Sequence, residues 1–397
     1  MKADDPLVEV FERNRDHWEH KKVLIAGHIT SMQLLPQLIG TTQAYVLSEN
    51  YETAQGLSAM MGVKLGHHDF EYAQKKHVTV IFGAADDSRV HELIDEVEVL
   101  VLFLSKTKSL SQNLLYCLQD KLAANGKILL IGSNAIGGKS GDGLIKYAAD
   151  VYKIDTARKC TVFLGSLNEG QKLKSAPALK DVLFGGLTLK QAQGIFSQGE
   201  LDQGTKLLLN AMHHDLSGQS PCADAKDLPD LSDSKLTELD APVVPLSHAI
   251  LDVGCGSGII GLSLAARGFK QVVCSDISAT ALNCTVANAQ LNGLTIDTLA
   301  TNMLPTQAEL EANNINIPSG KFNIIATNPP FHQGVNRTTS QTLDMIAKAK
   351  NSLTSDGVLY LVGNSCLHYE EPLAEAFTKV QVLAKTTKFV VYKASNK

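Results

Sequence analysis

The chain has 397 residues, more than one ordinary domain, so two domains of roughly 150 to 200 residues are expected, each large enough to bury its own core. Hydrophobic residues at 44% and charged residues at 19% exclude a disordered chain, and a formal net charge of −5 argues against a protein that coats nucleic acid without specificity. The N-terminus (Met1-Lys2-Ala3-Asp4-Asp5-Pro6) carries acids and proline where a signal peptide carries an apolar run, no stretch has membrane-spanning length, and seven cysteines include no CxxC pair. A cytoplasmic protein with free thiols is expected, with neither a disulfide framework nor a zinc ribbon.

In chain order, Val23-Leu24-Ile25-Ala26-Gly27 reads as a strand running into a turn, and Asn125-Gly126-Lys127-Ile128-Leu129-Leu130-Ile131-Gly132 reads as a later strand. The same two patterns return, in the same order, as Ile250-Leu251-Asp252-Val253-Gly254 and Asp356-Gly357-Val358-Leu359-Tyr360-Leu361-Val362-Gly363. Two matches in the same order, each at an offset of roughly 230 residues, predict a duplicated domain. Between the copies, residues 217–245 are acidic and proline-bearing (Asp224, Asp227, Asp230, Asp233, Glu238, Asp240), which predicts a mobile surface loop. Residues 306–320 form a second polar insertion of the same character.

In the second copy, strand-length apolar runs at 250–253, 272–274, 322–326 and 358–362 alternate with helical patterns near 278–292 and 339–353. This rhythm predicts an α/β fold with a parallel sheet flanked by helices. The runs 380–383 and 388–392 close the chain as an antiparallel hairpin.

Strand 250–253 opens into Gly254-Cys255-Gly256-Ser257-Gly258, where glycines let the backbone and the following helix amides approach a ligand. Ile259 stands where a dinucleotide fingerprint needs its third glycine. The next strand ends at Asp276, placed to accept the two ribose hydroxyls of a nucleoside. Asn302, after the third strand, is a candidate partner for an adenine edge.

The fourth strand ends in Asn328-Pro329-Pro330-Phe331. An exocyclic amine on a planar base shares its lone pair with the ring and becomes nucleophilic only when its hydrogens are accepted. The Asn328 oxygen and the Pro329 carbonyl supply acceptors, because prolines cannot commit the local backbone to strand pairing. Phe331 offers a face on which the base stacks. The first copy lacks both elements: His28, Ile29 and Thr30 follow Gly27, and Ser105-Lys106-Thr107-Lys108 follow a strand ending at Leu104.

With these motifs the chain resembles the bacterial 16S ribosomal RNA guanine-N2 methyltransferases over nearly its full length. Residues 153–160 are similar to that family's interdomain segment, and Gly194-Ile195-Phe196-Ser197 through Leu201-Asp202-Gln203-Gly204-Thr205-Lys206-Leu207-Leu208-Leu209 to its pre-cofactor segment. The resemblance implies two tandem class I, Rossmann-like methyltransferase domains: a degenerate one over 1–180 and a catalytic one over 181–397. It implies S-adenosylmethionine as cofactor, enclosed by Phe196, Ser197 and Asp202 and held by Gly254, Cys255, Gly256 and Asp276. It implies guanine received by residues 328–331, with Asn328, Pro329 and Phe331 catalytic and Pro330 and Phe331 in contact with the base. The partner implied is 16S rRNA, in the small ribosomal subunit or an assembly intermediate, met by a monomer without metal or membrane. The empty first domain is expected to support and contact RNA, with Lys106, Lys108, Lys139 and Lys146 as phosphate partners.

Other readings stay open on sequence. Large-subunit guanine-N2, adenine-N6 and glutamine-N5 methyltransferases use related motifs, the last two more often with tyrosine at the fourth position. A non-catalytic RNA-binding assembly protein is a reading of another class, and a nicotinamide oxidoreductase is disfavoured by Ile259.

Overall fold

The computed structural model describes residues 5–195, 199–222, 224–329 and 335–397, with the side chains of 335–339 outside the description. Phe196, Ser197, Pro330 and Phe331 therefore lie outside the described residues. The chain divides into two compact units, Met1–Ala178 and Leu179–Lys397.

The first unit contains β1 (Lys22–Gly27), β2 (Gln43–Ser48), β3 (Glu71–Lys75), β4 (Val78–Phe82), β5 (Val97–Phe103), β6 (Leu122–Ser133), β7 (Ala149–Ala157) and β8 (Cys160–Leu167), in the sheet order β3-β4-β2-β1-β5-β6-β8-β7. The second begins with a two-stranded ribbon, β9 (Val182–Phe184) and β10 (Leu187–Leu189). Its main sheet has β11 (Ala249–Val253), β12 (Gln271–Asp276), β13 (Asp297–Ala300), β14 (Phe322–Thr327), β15 (Leu353–Asn364), β16 (Lys379–Lys385) and β17 (Phe389–Ser395), ordered β13-β12-β11-β14-β15-β17-β16. Strands β11 to β15 pair in parallel, and β17 inserts antiparallel between β15 and β16. The central strands are apolar on both faces because helices cover both, and every residue of β11 is buried.

Without β3 the two sheets have the same connectivity, so the duplication is a property of the fold. Register makes the comparison residue by residue. Ala26 pairs with Leu102 as Val253 pairs with Thr327, so Phe103 occupies the place of Asn328. The strand ends at Phe103, one residue before Leu104. Likewise Ser48 stands where Asp276 stands, and Ile25 where Asp252 stands. The first unit thus carries a buried phenylalanine and a serine at the two positions where the second carries an amide and an acid.

The expectation of a mobile loop over 217–245 is corrected. Leu231 and Leu236, spaced among the acids, are buried at 4% and 2% exposure. The Leu231 amide donates to Asn210 Oδ1 at 3.3 Å, and the Leu236 amide to the Gly185 carbonyl at 3.0 Å. Lys206 bonds Asp230 at 2.7 Å, holding that carboxyl down at about 2, and Arg267 donates to the Asp240 carbonyl. The acids face outward from a segment fixed by its leucines. Residues 306–320 are also packed: Thr306 and Glu309 form a capping box on the helix Gln307–Ala312, and Leu310, Ile315 and Ile317 join the core of the sheet.

Leu236→Ala is accordingly expected to lower the unfolding free energy by about 2–5 kcal/mol. Chemical denaturation checks this; a change within about 0.5 kcal/mol would mean that the segment is a free surface loop after all.

Candidate active site

A cavity of about 270 Å³ opens at the carboxyl ends of β11, β12 and β14. Its floor is the glycine turn. Gly254 and Gly256 have φ of +69° and +58°, the left-handed region that favours glycine, and a Cβ at Gly254 would meet nothing within 4 Å. The open side of that backbone faces the cavity. The amides of Gly254 and Cys255 donate to the Ser275 carbonyl at 2.9 and 3.0 Å, locking the turn to β12.

Asp276 accepts the Gly256 amide at 3.0 Å on one oxygen and the Ser278 amide at 2.9 Å on the other. Burial raises its carboxyl above the ordinary range, and the amides of Gly256, Ser278 and Ile277 draw it back. Each oxygen keeps a further acceptor position for a ligand hydroxyl. Asn302 is exposed and lines the cavity beside Met303. Cys255 lines it through its backbone, while its thiol is buried 3.4 Å from Thr285 Oγ1.

Asp202 caps the helix Gln203–Leu216 by accepting the Thr205 amide at 2.9 Å. Asn328 Nδ2 donates to Asp202 Oδ2 at 3.1 Å and to Thr205 Oγ1 at 2.7 Å. Asn328 Oδ1 is buried and, among the described residues, has no hydrogen-bond partner. Asp202, Thr205 and Asn328 all line the cavity, and Pro329 is buried next to them in the chain. The chain on either side of Phe196 and Ser197 also lines it, through Gly194, Ile195, Glu200 and Leu201.

Several site residues were not legible in sequence. Thr205 is one. Asp252 is another: its Oδ2 accepts the Gly261 amide at 2.8 Å, satisfying an N-terminal amide of the helix Ile259–Ala266 beneath the turn. Its signal was an acid inside an apolar strand, where the first copy has Ile25. The ribbon β9–β10, whose Val182 and Leu189 form a wall, is held by Asn288 on the helix Ala279–Leu291 and by Asn292, which caps that helix. Asn292 exchanges hydrogen bonds with the Thr188 amide and carbonyl, and Asn288 with those of Lys190 while also reaching the Ser257 carbonyl.

A sheet ordered 3-2-1-4-5-7-6 with its cavity at the carboxyl ends of the first, second and fourth strands is the architecture of a class I methyltransferase. Residues 232–393 match the family described as Methyltransferase small domain, and residues 8–181 match Methyltransferase small domain N-terminal. The chain belongs to this methyltransferase family and carries both of its domains. It is 27% identical to the Ribosomal RNA small subunit methyltransferase C of Klebsiella pneumoniae subsp. pneumoniae, over 99% of this chain and 97% of that protein. It is 28% identical to the Erwinia tasmaniensis protein of the same name, over 99% and 98%. A T. thermophilus 16S rRNA N2 methyltransferase of guanosine 1207, solved with AdoMet and guanosine, matches in fold with a TM-score of 0.69 at 20% identity, over 100% of this chain and 93% of that one.

The methyl donor of the enzyme is S-adenosylmethionine, and the residues present fit it. Asp276 has acceptor positions to spare for two hydroxyls, and the Gly254 backbone leaves room for a ligand where any side chain would stand.

Burial pushes the Asp252 carboxyl up to about 7. The folded chain therefore keeps a proton that the unfolded chain releases near pH 4, and the resulting stability is lost as pH rises from about 4 to about 7. Asp252→Asn, neutral throughout, escapes that loss. Its melting temperature relative to the native protein is expected to climb across this interval; a difference that stays constant with pH would contradict a buried, protonated Asp252.

Proposed function

We propose that this protein transfers a methyl group from S-adenosylmethionine to the exocyclic N2 of a guanosine in 16S rRNA of the small ribosomal subunit or its assembly intermediate. The observation that carries the reading is the buried, unpartnered Asn328 Oδ1, held at the cavity by an amide whose two hydrogens are both used.

Bound S-adenosylmethionine supplies a methyl group already activated on a sulfonium centre. The chain's own work is alignment and desolvation. Asn328 Oδ1 accepts one hydrogen of the guanine amine, and the Pro329 carbonyl accepts the other. With both hydrogens held, the nitrogen pyramidalises and its lone pair turns from the ring toward the cavity. As the new N–C bond forms the methyl–sulfur bond breaks, the sulfur keeping the electron pair so that S-adenosylhomocysteine is left, and positive charge passes to that nitrogen, which then releases one proton to solvent. No strong base is needed. Phe331 is assigned the stacking face, with Pro330 beside it against the base. Phe196, Ser197, Gly254, Cys255, Gly256, Asp276 and Asn302 are assigned to the cofactor, with Asp202 closing that side.

Two relatives carry the small-subunit ribosomal RNA name, and the T. thermophilus protein was solved with guanosine, which supports the choice of guanine in 16S rRNA. The first unit, with Phe103 and Ser48 at the positions of Asn328 and Asp276, is assigned to support and RNA contact. Lys106, Lys108, Lys139 and Lys146 are exposed there. A monomer acting in the cytoplasm fits this role, and no helix among the described residues is long and apolar enough to cross a membrane.

Transfer of labelled methyl to small subunits, naked 16S rRNA and large subunits, followed by nucleoside analysis, tests the reading. N2-methylguanosine from small-subunit RNA is expected; N6-methyladenosine, a labelled protein, label confined to large subunits, or no transfer would overturn it. Asn328→Ala should bind S-adenosylmethionine within about threefold of the native protein yet turn over at least about 100-fold more slowly. Parallel losses of affinity and turnover, followed by calorimetry and initial rates, would contradict the role given to Asn328.

A further inference from the structure

We infer that Thr205 and Asp202 are positioning residues that fix the Asn328 amide in one orientation, and that this orientation makes the site select a base bearing an amine over one without it. The inference rests on the function proposed above and concerns how that site chooses its base.

A side-chain amide has two faces that differ only in which atom is oxygen, so a lone asparagine in a pocket can present either a donor or an acceptor. Here the choice is forced. Asp202 Oδ2 already accepts the Thr205 amide at 2.9 Å, and a carboxylate oxygen only accepts. The Asn328 atom that lies 3.1 Å from it must therefore be the nitrogen. The Thr205 hydroxyl accepts the second amide hydrogen at 2.7 Å and directs its own hydrogen at Asp202 Oδ2, 3.4 Å away. A flipped amide would set its oxygen against the carboxylate and leave no acceptor for the carboxylate's neighbour. Oδ1 is left buried and, among the described residues, unpaired, an arrangement that is unfavourable until something donates to it.

The clamp is carried by a helix secured at its other end. Asp215, in the last turn of Gln203–Leu216, accepts the Tyr360 hydroxyl at 2.5 Å and Lys393 Nζ at 2.8 Å. Tyr360 and Lys393 are paired neighbours on β15 and β17, and β15 lies beside β14, which ends at Asn328. Helix 203–216 is thus tied to the sheet by charge at one end and by the Asn328 amide at the other. Guanosine brings two hydrogens on N2, whereas inosine is the same nucleoside without that amine, so of the two only guanosine can set an exocyclic amine against Oδ1.

The test is equilibrium binding of guanosine and inosine to the full chain loaded with S-adenosylhomocysteine, read by titration calorimetry. The native protein is expected to bind guanosine about tenfold more tightly than inosine, as one buried hydrogen bond warrants. Thr205→Val and Asp202→Ala should erase that ratio, while Thr205→Ser and Asp202→Asn, which keep the acceptors and the helix cap, should retain it. A structural role alone would weaken both nucleosides equally and leave the ratio unchanged in Thr205→Val, overturning the inference. Equal binding of the two nucleosides by the native protein would instead sink the guanine reading itself, and the inference with it.

Discussion

Both hydrogens of the Asn328 side-chain amide are committed to Asp202 and Thr205, and its oxygen is buried with nothing to accept. A polar atom in that condition is costly in a folded protein unless a ligand completes it. Much of the second unit serves to hold this atom still. The fourth strand delivers Asn328 to the carboxyl edge, helix 203–216 delivers the two acceptors, and Asp215 ties that helix to β15 and β17. The prolines beginning at Pro329 cannot draw the edge into further pairing. A base amine is a weak nucleophile, so a fixed acceptor at its hydrogens is the chief help the chain can give to a donor that is already activated.

The duplicated sheet works as an internal control. The same connectivity occurs twice, and matched register sets Phe103 against Asn328, Ser48 against Asp276 and Ile25 against Asp252. Two of the exchanges remove an acid and an amide from the carboxyl edge, and the third removes the buried acid that holds the helix after the glycine turn. The same fold thus occurs once with the acid and amide at its carboxyl edge and once without them, so the fold alone does not confer binding. Asp252 shows the cost of keeping function: a carboxyl fully inside the core, pushed up to about 7 by burial, is retained because its oxygen holds the helix that follows the glycine turn.

The glycine turn, Asp276 and Asn328 were legible in sequence because each ends a contiguous apolar run, and in a parallel sheet such runs all deliver their last residues to one edge. The duplication was legible for the same reason. Thr205 was not, since its bond to Asn328 joins positions 123 residues apart and a threonine in the first turn of a helix gives no other sign. The register of the first copy was misread, with Ser105 set where pairing with β1 places Phe103, because Phe103 and Leu104 are equally apolar and only that pairing fixes the position. Residues 217–245 misled through composition: the acids outweighed the leucines, yet the buried Leu231 and Leu236 decide where the segment lies. Asn288 and Asn292 look like ordinary helix surface until the ribbon they hold is seen beside them.

The central claim is that Asn328 Oδ1 receives the amine that becomes methylated. A crystal structure of the full chain with S-adenosylhomocysteine and guanosine tests it most directly. The account predicts the guanine N2 about 3 Å from Asn328 Oδ1, with Asn328 Nδ2 still on Asp202 and Thr205. A guanine whose O6 or N7 meets Asn328, or an amide turned so that its nitrogen faces the base, would contradict it.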